Sequence, residues 1–345
     1  MGINFAPNKV QADFGSYIHY WRGVPKVGKT TLFRDVVKEE YGSLDKGLLL
    51  SLGQEIGYKA ISGLYAFHSP DWKGLMDVLA EVIKNKGDND FKVIAFDTVD
   101  ELVKMAVQET IEASNRTTGK VVRSINEAFG GYGKGNEYLI NLIDTVIYKV
   151  KQAGYGLVFI GHTKEKTITE KGASEGYQRL VSNMAHRMDE VFANKADIIA
   201  TLFTERVVVN GQVKSSERYI FFRDDGFVES GSRFANMIDK VPFGDSGAKA
   251  YLKAFREGVI ASIPDDIDEA DLEKMRQEER EQREENAKDF IGEEYRDDVL
   301  DVLKNVYAKN ANKVKEILAE FDASKFEEVE AKNLPLLKEK LEELK

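Results

Sequence analysis

The segment GVPKVGKTT at 23–31 places a lysine and two hydroxyl side chains directly after a glycine, and this pattern is suited to a polyphosphate. It fits G-x-x-x-x-G-K-[ST], with Gly23, Gly28, Lys29 and Thr30 at the fixed positions. Glycines let the main chain through Val24, Pro25, Lys26 and Val27 curl its N–H groups inward around phosphate oxygens, and the positive end of a following helix adds to their pull. Lys29 would reach the β- and γ-phosphates of a nucleotide. Thr30, followed by Thr31, would offer its hydroxyl to Mg²⁺, an ion that combines a few oxygen ligands with waters and phosphates. Downstream, FKVIAFDTVDEL ends an apolar run on Asp97, where a carboxylate would hold a water bound to that metal. Asp100 and Glu101 follow it. Either could polarise the attacking water, and both are also the first-turn acids that a helix dipole favours. Two more polar residues sit at apolar run ends. Glu55 lies just past LLLSL and could orient the water, and His162 ends LVFIGH, where it could sense the γ-phosphate by hydrogen bonding. His19, His68 and His186 have no metal-ligand spacing.

Strands and helices must carry these residues to one place. The runs at 17–21, 47–52, 92–97 and 157–161 are apolar on consecutive positions, as expected for strands covered on both faces. Helical periodicity at 29–40, 73–86, 99–113 and 137–153 alternates with them, the pattern of βα units around a mostly parallel sheet. Near 198–222 the pattern changes to two extended runs around Asn210-Gly211, a hairpin signal that makes the sheet mixed. The reading is an α/β fold with a main domain over 1–245. An acidic linker or exposed helix follows over 246–290, and a small helical module over 291–345.

The chain has 345 residues and no cysteine, which excludes disulfides, thiolate metal sites and cysteine nucleophiles. Its net charge of −10 is concentrated, because 261–300 carry 16 acidic and 6 basic side chains and the first 260 residues are nearly neutral. A polyanionic partner therefore stays compatible with the whole-chain charge. No stretch approaches a membrane span, and MGINFAPNKVQADF lacks the apolar run of a secretion signal, so the expectation is a cytoplasmic protein with no membrane partner.

In their order, GVPKVGKTT, VIAFDTVDEL, YGKG, LVFIGHTKEK, KADIIATL and GSRF resemble phage-encoded RecA-like ATPases, in particular the Sak-type single-strand annealing ATPases, over about residues 15–245. The resemblance implies a RecA-like P-loop core that binds ATP and Mg²⁺, a ring or filament of identical subunits, and work on single-stranded DNA beside a single-strand binding protein in phage recombination, annealing or replication. It implies that 23–31 is the phosphate loop, Asp97 the Walker B acid, Glu55 the catalytic glutamate and His162 the polar end of the sensor strand. Arg233, in GSRF, is implied as an arginine finger acting in its own subunit or across an interface. The sequence departs from the family at the end of the second strand, which reads Ser51-Leu52-Gly53-Gln54-Glu55 where relatives often carry an acid in the strand's last turn.

Two polar segments carry the parts of a single-strand binder, cations for phosphates and aromatics for bases. Loop 116–136 has Arg116, Lys120, Arg123 and Lys134 with Phe129 and Tyr132, and loop 163–183 has Lys164, Lys166, Lys171 and Arg179 with Tyr177. Three functional classes remain open at this point: a DNA-stimulated ATPase, a nucleotide-gated loader that turns over little and recruits a replication protein, and a small-molecule kinase, for which the sequence offers no acceptor pocket.

Overall fold

The computed structural model describes residues 9–172, 174–263 and 267–344. The first eight residues of the reading above, position 173 of the second polar segment, 264–266 of the acidic segment and the last residue lie outside the described residues. Chain order gives β1 (Ile18–Gly23), α1 (Lys29–Tyr41), β2 (Gly47–Leu52), β3 (Ala66–Ser69), α2 (Trp72–Lys84), β4 (Val93–Asp97), α3 (Val99–Thr118), α4 (Lys134–Gln152), β5 (Gly156–Ile168), β6 (Tyr177–Ser182) and α5 (His186–Ala193). Then come β7 (Ile198–Val209), β8 (Gln212–Phe221), β9 (Gly231–Ser232), β10 (Lys240–Pro242), α6 (Gly247–Ile260), α7 (Glu269–Glu293), α8 (Arg296–Ala319) and α9 (Leu334–Glu342).

The sheet runs β10-β8-β7-β1-β5-β4-β2-β3, with β7, β1, β5, β4, β2 and β3 parallel to one another. Alternate residues of the central strands feed two apolar layers. Trp21, Val158 and Ile160 pack with Leu32 and Phe33 of α1 and Tyr251 and Phe255 of α6. Tyr20, Phe96 and Phe159 pack on the other face with Leu79 of α2, Leu102 of α3 and Ile143 of α4. Burial on both faces explains why these strands read as unbroken apolar runs. Because α6 and Leu272 of α7 belong to the first layer, the packed body runs past the division drawn at 245.

The segment read as loop 163–183 is instead largely a ribbon. β5 continues beyond the sheet to Ile168 and pairs antiparallel with β6 from Thr163↔Ser182 to Ile168↔Tyr177. Its residues are polar on both faces over most of its length, so it carries no apolar period to betray a strand. Loop 116–136 is shortened at both ends, since α3 runs to Thr118 and α4 begins at Lys134. β3 was missed because a four-residue edge strand with a half-exposed AFHS sequence gives little signal. The hairpin at Asn210-Gly211 forms as read, with Asn210 and Gly211 both at positive φ as its turn requires.

The acidic segment is a docked helix. Arg280 and Arg283 of α7 each lie 2.5 Å from the buried Asp13 carboxylate. Glu40 at the far end of α1 is paired with Arg276 and, at 2.9 Å, with Arg280 and with Arg256 of α6. Glu279 accepts the N–H groups of Ala12 and Asp13 at 2.6 and 2.8 Å. The last residues form a separate apolar cluster, with Val299, Val306 and Leu318 of α8 against Leu334, Leu337 and Leu341 of α9.

Candidate functional site

Parallel strands end along one edge, and that edge collects the chemistry. β1 ends on Gly23, opposite His162 of β5 and Leu202 of β7. A Cβ at Gly23 would stand 2.8 Å from the Leu202 carbonyl oxygen, so glycine is required there. The loop then turns through Lys26 (φ 65°) and Gly28 (φ 105°), left-handed conformations that let it close tightly on the start of α1. Lys29 folds back over this loop. Its ammonium donates to the carbonyls of Gly23 at 2.8 Å and Val24 at 3.0 Å, and burial lowers its pKa to about 8 against the pull of Asp97, Asp100 and Glu55.

Asp97, the last residue of β4, accepts a 2.9 Å hydrogen bond from the Thr30 hydroxyl. Burial pushes its carboxyl up to about 6, although the Thr30 hydrogen bond and the Lys29 charge oppose this. A buried carboxylate with one hydroxyl for a hydrogen-bond partner is short of positive charge, and a bound cation would correct that. The donor set fits Mg²⁺: one carboxylate oxygen and one hydroxyl side by side, with other positions open to phosphates and water. Among the described residues no group of three His, Cys, Asp or Glu could hold a metal by itself, so the ion would arrive with a phosphate ligand.

A cavity of about 360 Å³ opens over this pair, lined by Lys26, Lys29, Thr30, Glu55, Asp97 and His162 among others. The phosphate loop, Asp97, Glu55 and His162 are thus brought together as the sequence suggested. Glu55 is positioned by the turn after β2, where its Oε1 accepts the Gly57 N–H at 2.9 Å and its own carbonyl accepts the Ser51 hydroxyl.

Glu101 and Arg233 are not brought to the cavity. Glu101 turns aside to accept the Gln54 N–H at 3.2 Å and to pair with Lys104 at 2.5 Å, so it braces the turn that carries Glu55. Arg233 follows β9, which pairs with the first residues of β7 at the opposite edge of the sheet. There it donates to the Asn194 carbonyl at 2.9 Å and faces Asp197 at 3.5 Å, so in its own chain it cannot serve the phosphate site. The arginine that touches the phosphate loop is Arg218 of β8. It donates to the Val27 carbonyl at 2.8 Å and stacks on Phe243. That contact spans 191 positions and leaves no local trace in the sequence. Asp100, which the sequence offers as a water-polarising group or a first-turn acid, is bonded to β5: the His162 main-chain N–H donates to its Oδ2 at 3.0 Å.

With this geometry in place, comparison with known families decides the class. The profile of the AAA domain family matches residues 17–234, from the start of β1 to just past β9. The chain belongs to the AAA domain family. This P-loop ATPase class accounts for the loop, for Lys29 and for the acid at the end of β4. No curated protein matches the chain. The AAA domain match ends before α6, so the arginine-rich seam of α6 and α7 and the helical module lie outside it. Among the described residues, no helix is long and apolar enough to cross a membrane.

Proposed function

We propose that this AAA domain protein is a Mg²⁺-dependent ATPase whose turnover is coupled to single-stranded DNA held on the β5–β6 ribbon, in keeping with the sequence resemblance to phage recombination ATPases. The observation that carries the DNA reading is the sorting of charge on that ribbon. Lys164 pairs with Val181, Lys166 with Arg179 and Ile168 with Tyr177, so three cations and the aromatic ring share one face. That face borders a groove of about 540 Å³ against α5, which also contributes His186. Of the three acids in the groove, Asp189 and Glu229 are already matched by the buried Arg22, each at 3.3 Å, and Glu190 stands 3.9 Å from His186. Cations tracking a backbone beside a ring for stacking are the features of a sequence-tolerant single-strand site.

A Mg²⁺ ion bound here would supply charge neutralisation to the phosphates. Thr30 and Asp97 would hold it. Lys29 would leave the Gly23 and Val24 carbonyls for the phosphates, and Glu55 would accept a hydrogen bond from the attacking water. One observation favours the slower, loader-like alternative: the Glu55 Oε1 is engaged with its own turn. A steady-state assay of phosphate release separates the two readings, because a loader would show little turnover with or without DNA.

The decisive experiment is fluorescence anisotropy with a labelled oligothymidylate, with and without a non-hydrolysable ATP analogue. We expect affinity to fall by at least about tenfold between about 50 and 200 mM salt. We also expect the Lys164→Glu, Lys166→Glu double variant to bind no more tightly than background while still taking up nucleotide. Binding by that variant equal to wild type would remove the ribbon as the DNA site.

A further inference from the structure

We propose that Asp100 is a positioning residue that ties the root of the β5–β6 ribbon to the nucleotide site, so that the ribbon's order follows what occupies the cavity. The inference rests on the triphosphate reading of the cavity and is independent of the DNA reading of the ribbon.

At His162 β5 passes from the parallel sheet, where it faces Gly23, to the antiparallel ribbon that begins with Thr163↔Ser182. The buried Asp100 side chain stands at that transition. Its Oδ2 accepts the His162 main-chain N–H at 3.0 Å and lies 3.6 Å from His162 Nδ1. Its Oδ1 is 3.5 Å from the Asn183 amide nitrogen, and the Asn183 main-chain N–H donates to the His162 carbonyl at 2.8 Å. One carboxylate therefore reaches both legs of the ribbon, at the residue that enters it and the residue that leaves it. Burial alone would raise the Asp100 carboxyl, but the hydrogen bonds and charge of His162 together hold it below the usual carboxylate range, so it stays an acceptor.

Asp100 stands in the first turn of α3, which follows directly on Asp97 and is capped by Thr98 on the Glu101 N–H. The segment 97–101 thus spreads three carboxylates over three parts of the site. Asp97 holds Thr30 of the phosphate loop, Asp100 holds the ribbon root, and Glu101 holds the turn before Glu55. The His162 ring lines the cavity while its main chain is bound to Asp100. A phosphate or water that engages the ring therefore acts on a residue already fastened to the ribbon. Two states of the ribbon biased by one ligand are what coupling between sites requires.

The test is amide hydrogen exchange of the full chain, followed at 162–168 and 177–183, with and without a non-hydrolysable ATP analogue and Mg²⁺, alongside calorimetry of nucleotide uptake. In wild type, the analogue should slow exchange at the ribbon root by about tenfold, an opening free energy raised by roughly 1.4 kcal/mol. Asp100→Asn keeps size and polarity but replaces a charged acceptor. It should cut the nucleotide-dependent slowing to under about twofold, with nucleotide affinity within about threefold of wild type. Asn183→Ala, which leaves Asp100 intact and frees only the departing leg, should reduce the slowing at 177–183 more than at 162–168, and covers the case in which Asp100→Asn does not fold. A merely structural role would speed exchange equally with and without nucleotide. Full nucleotide-dependent slowing in Asp100→Asn, or in Asn183→Ala if the first variant does not fold, overturns the inference. So does wild type that binds nucleotide with no change at the ribbon, which leaves the ATPase reading standing. No nucleotide uptake by folded wild type overturns both.

Discussion

Two groups of buried carboxylates sit at opposite ends of α1, and the protein treats them in contrary ways. At the far end, Glu40 and the neighbouring Asp13 are surrounded by Arg256, Arg276, Arg280 and Arg283, so each negative charge meets more than one guanidinium. At the near end, Asp97 has one hydroxyl and a lysine engaged elsewhere, and its carboxyl is pushed up to about 6. The first arrangement is complete and fastens α6 and α7 to the AAA domain. The second is left open, which is what a site built to receive a cation and a polyanion needs. Burial of an acid says little about function until its compensation is counted.

The largest effect that could break this contrast is on stability at the seam. Glu40→Ala takes a buried carboxylate from three arginines, leaving Arg256 without an ion pair among the described residues while Arg276 keeps Glu273 and Arg280 keeps Asp13, and should cost about 3–5 kcal/mol in urea unfolding. A loss below about 1 kcal/mol would mean the seam is ordinary surface pairing.

Asp97→Asn sharpens the contrast from the other end, with the opposite sign. The folded pKa of Asp97 stands above its ordinary 3.8, at about 6, so the native state binds the extra proton more readily than the unfolded chain. Its contribution to stability is therefore full below about pH 4 and is lost as pH rises through 6. The amide variant should match wild type near pH 4 and exceed it at pH 7 by up to about 3 kcal/mol, while ATP turnover collapses. Parallel stability curves across that range would show that Asp97 is already compensated.

How far the contrast could be read in advance differs between the two ends. The open end was legible because its residues are local: 23–31 is one uninterrupted motif, and Asp97, His162 and Glu55 each follow an apolar strand that announces itself. The seam was not. Asp13 meets Arg283 across 270 positions, and α7 looks like solvated acid because its arginines are outnumbered. The ribbon was hidden for a related reason, since polar residues on both faces erase the period-2 signal, and only the pairing with β6 reveals that the cations share a side. Arg233 illustrates the converse. A motif carried over by resemblance gave a position in the chain, whereas the β9–β7 pairing sets its position in space.

Lys29 offers a smaller test of openness. Its amine falls to about 8 through burial, so above that pH the empty site holds a neutral lysine and a triphosphate must bring a proton with it. ATP affinity should fall by about twofold from pH 7 to 8 and by up to about tenfold by pH 9, with proton uptake seen as a buffer-dependent calorimetric enthalpy. Lys29→Arg, whose charge cannot be titrated, should remove that pH dependence even if its affinity is poor throughout.

The smallest expected effect extends the comparison to cations. On the ribbon, Lys164 donates to the Asn183 carbonyl at 2.8 Å and Arg179 is paired with Asp224, whereas the Lys166 side chain has no ion pair or hydrogen bond among the described residues. By the same reasoning that separates Asp97 from Glu40, the uncommitted lysine is the one free to meet a phosphate without first giving up a partner. Lys166→Ala should leave the unfolding midpoint unchanged, because nothing is stranded by its loss. It should weaken single-stranded DNA binding by less than about tenfold and lower the slope of log affinity against log salt by about 1. Lys164→Ala should disturb stability as well, since it releases the Asn183 carbonyl at the ribbon root. If the two substitutions instead lower the salt slope equally and leave stability alike, commitment within the protein does not predict which charges are available to a ligand.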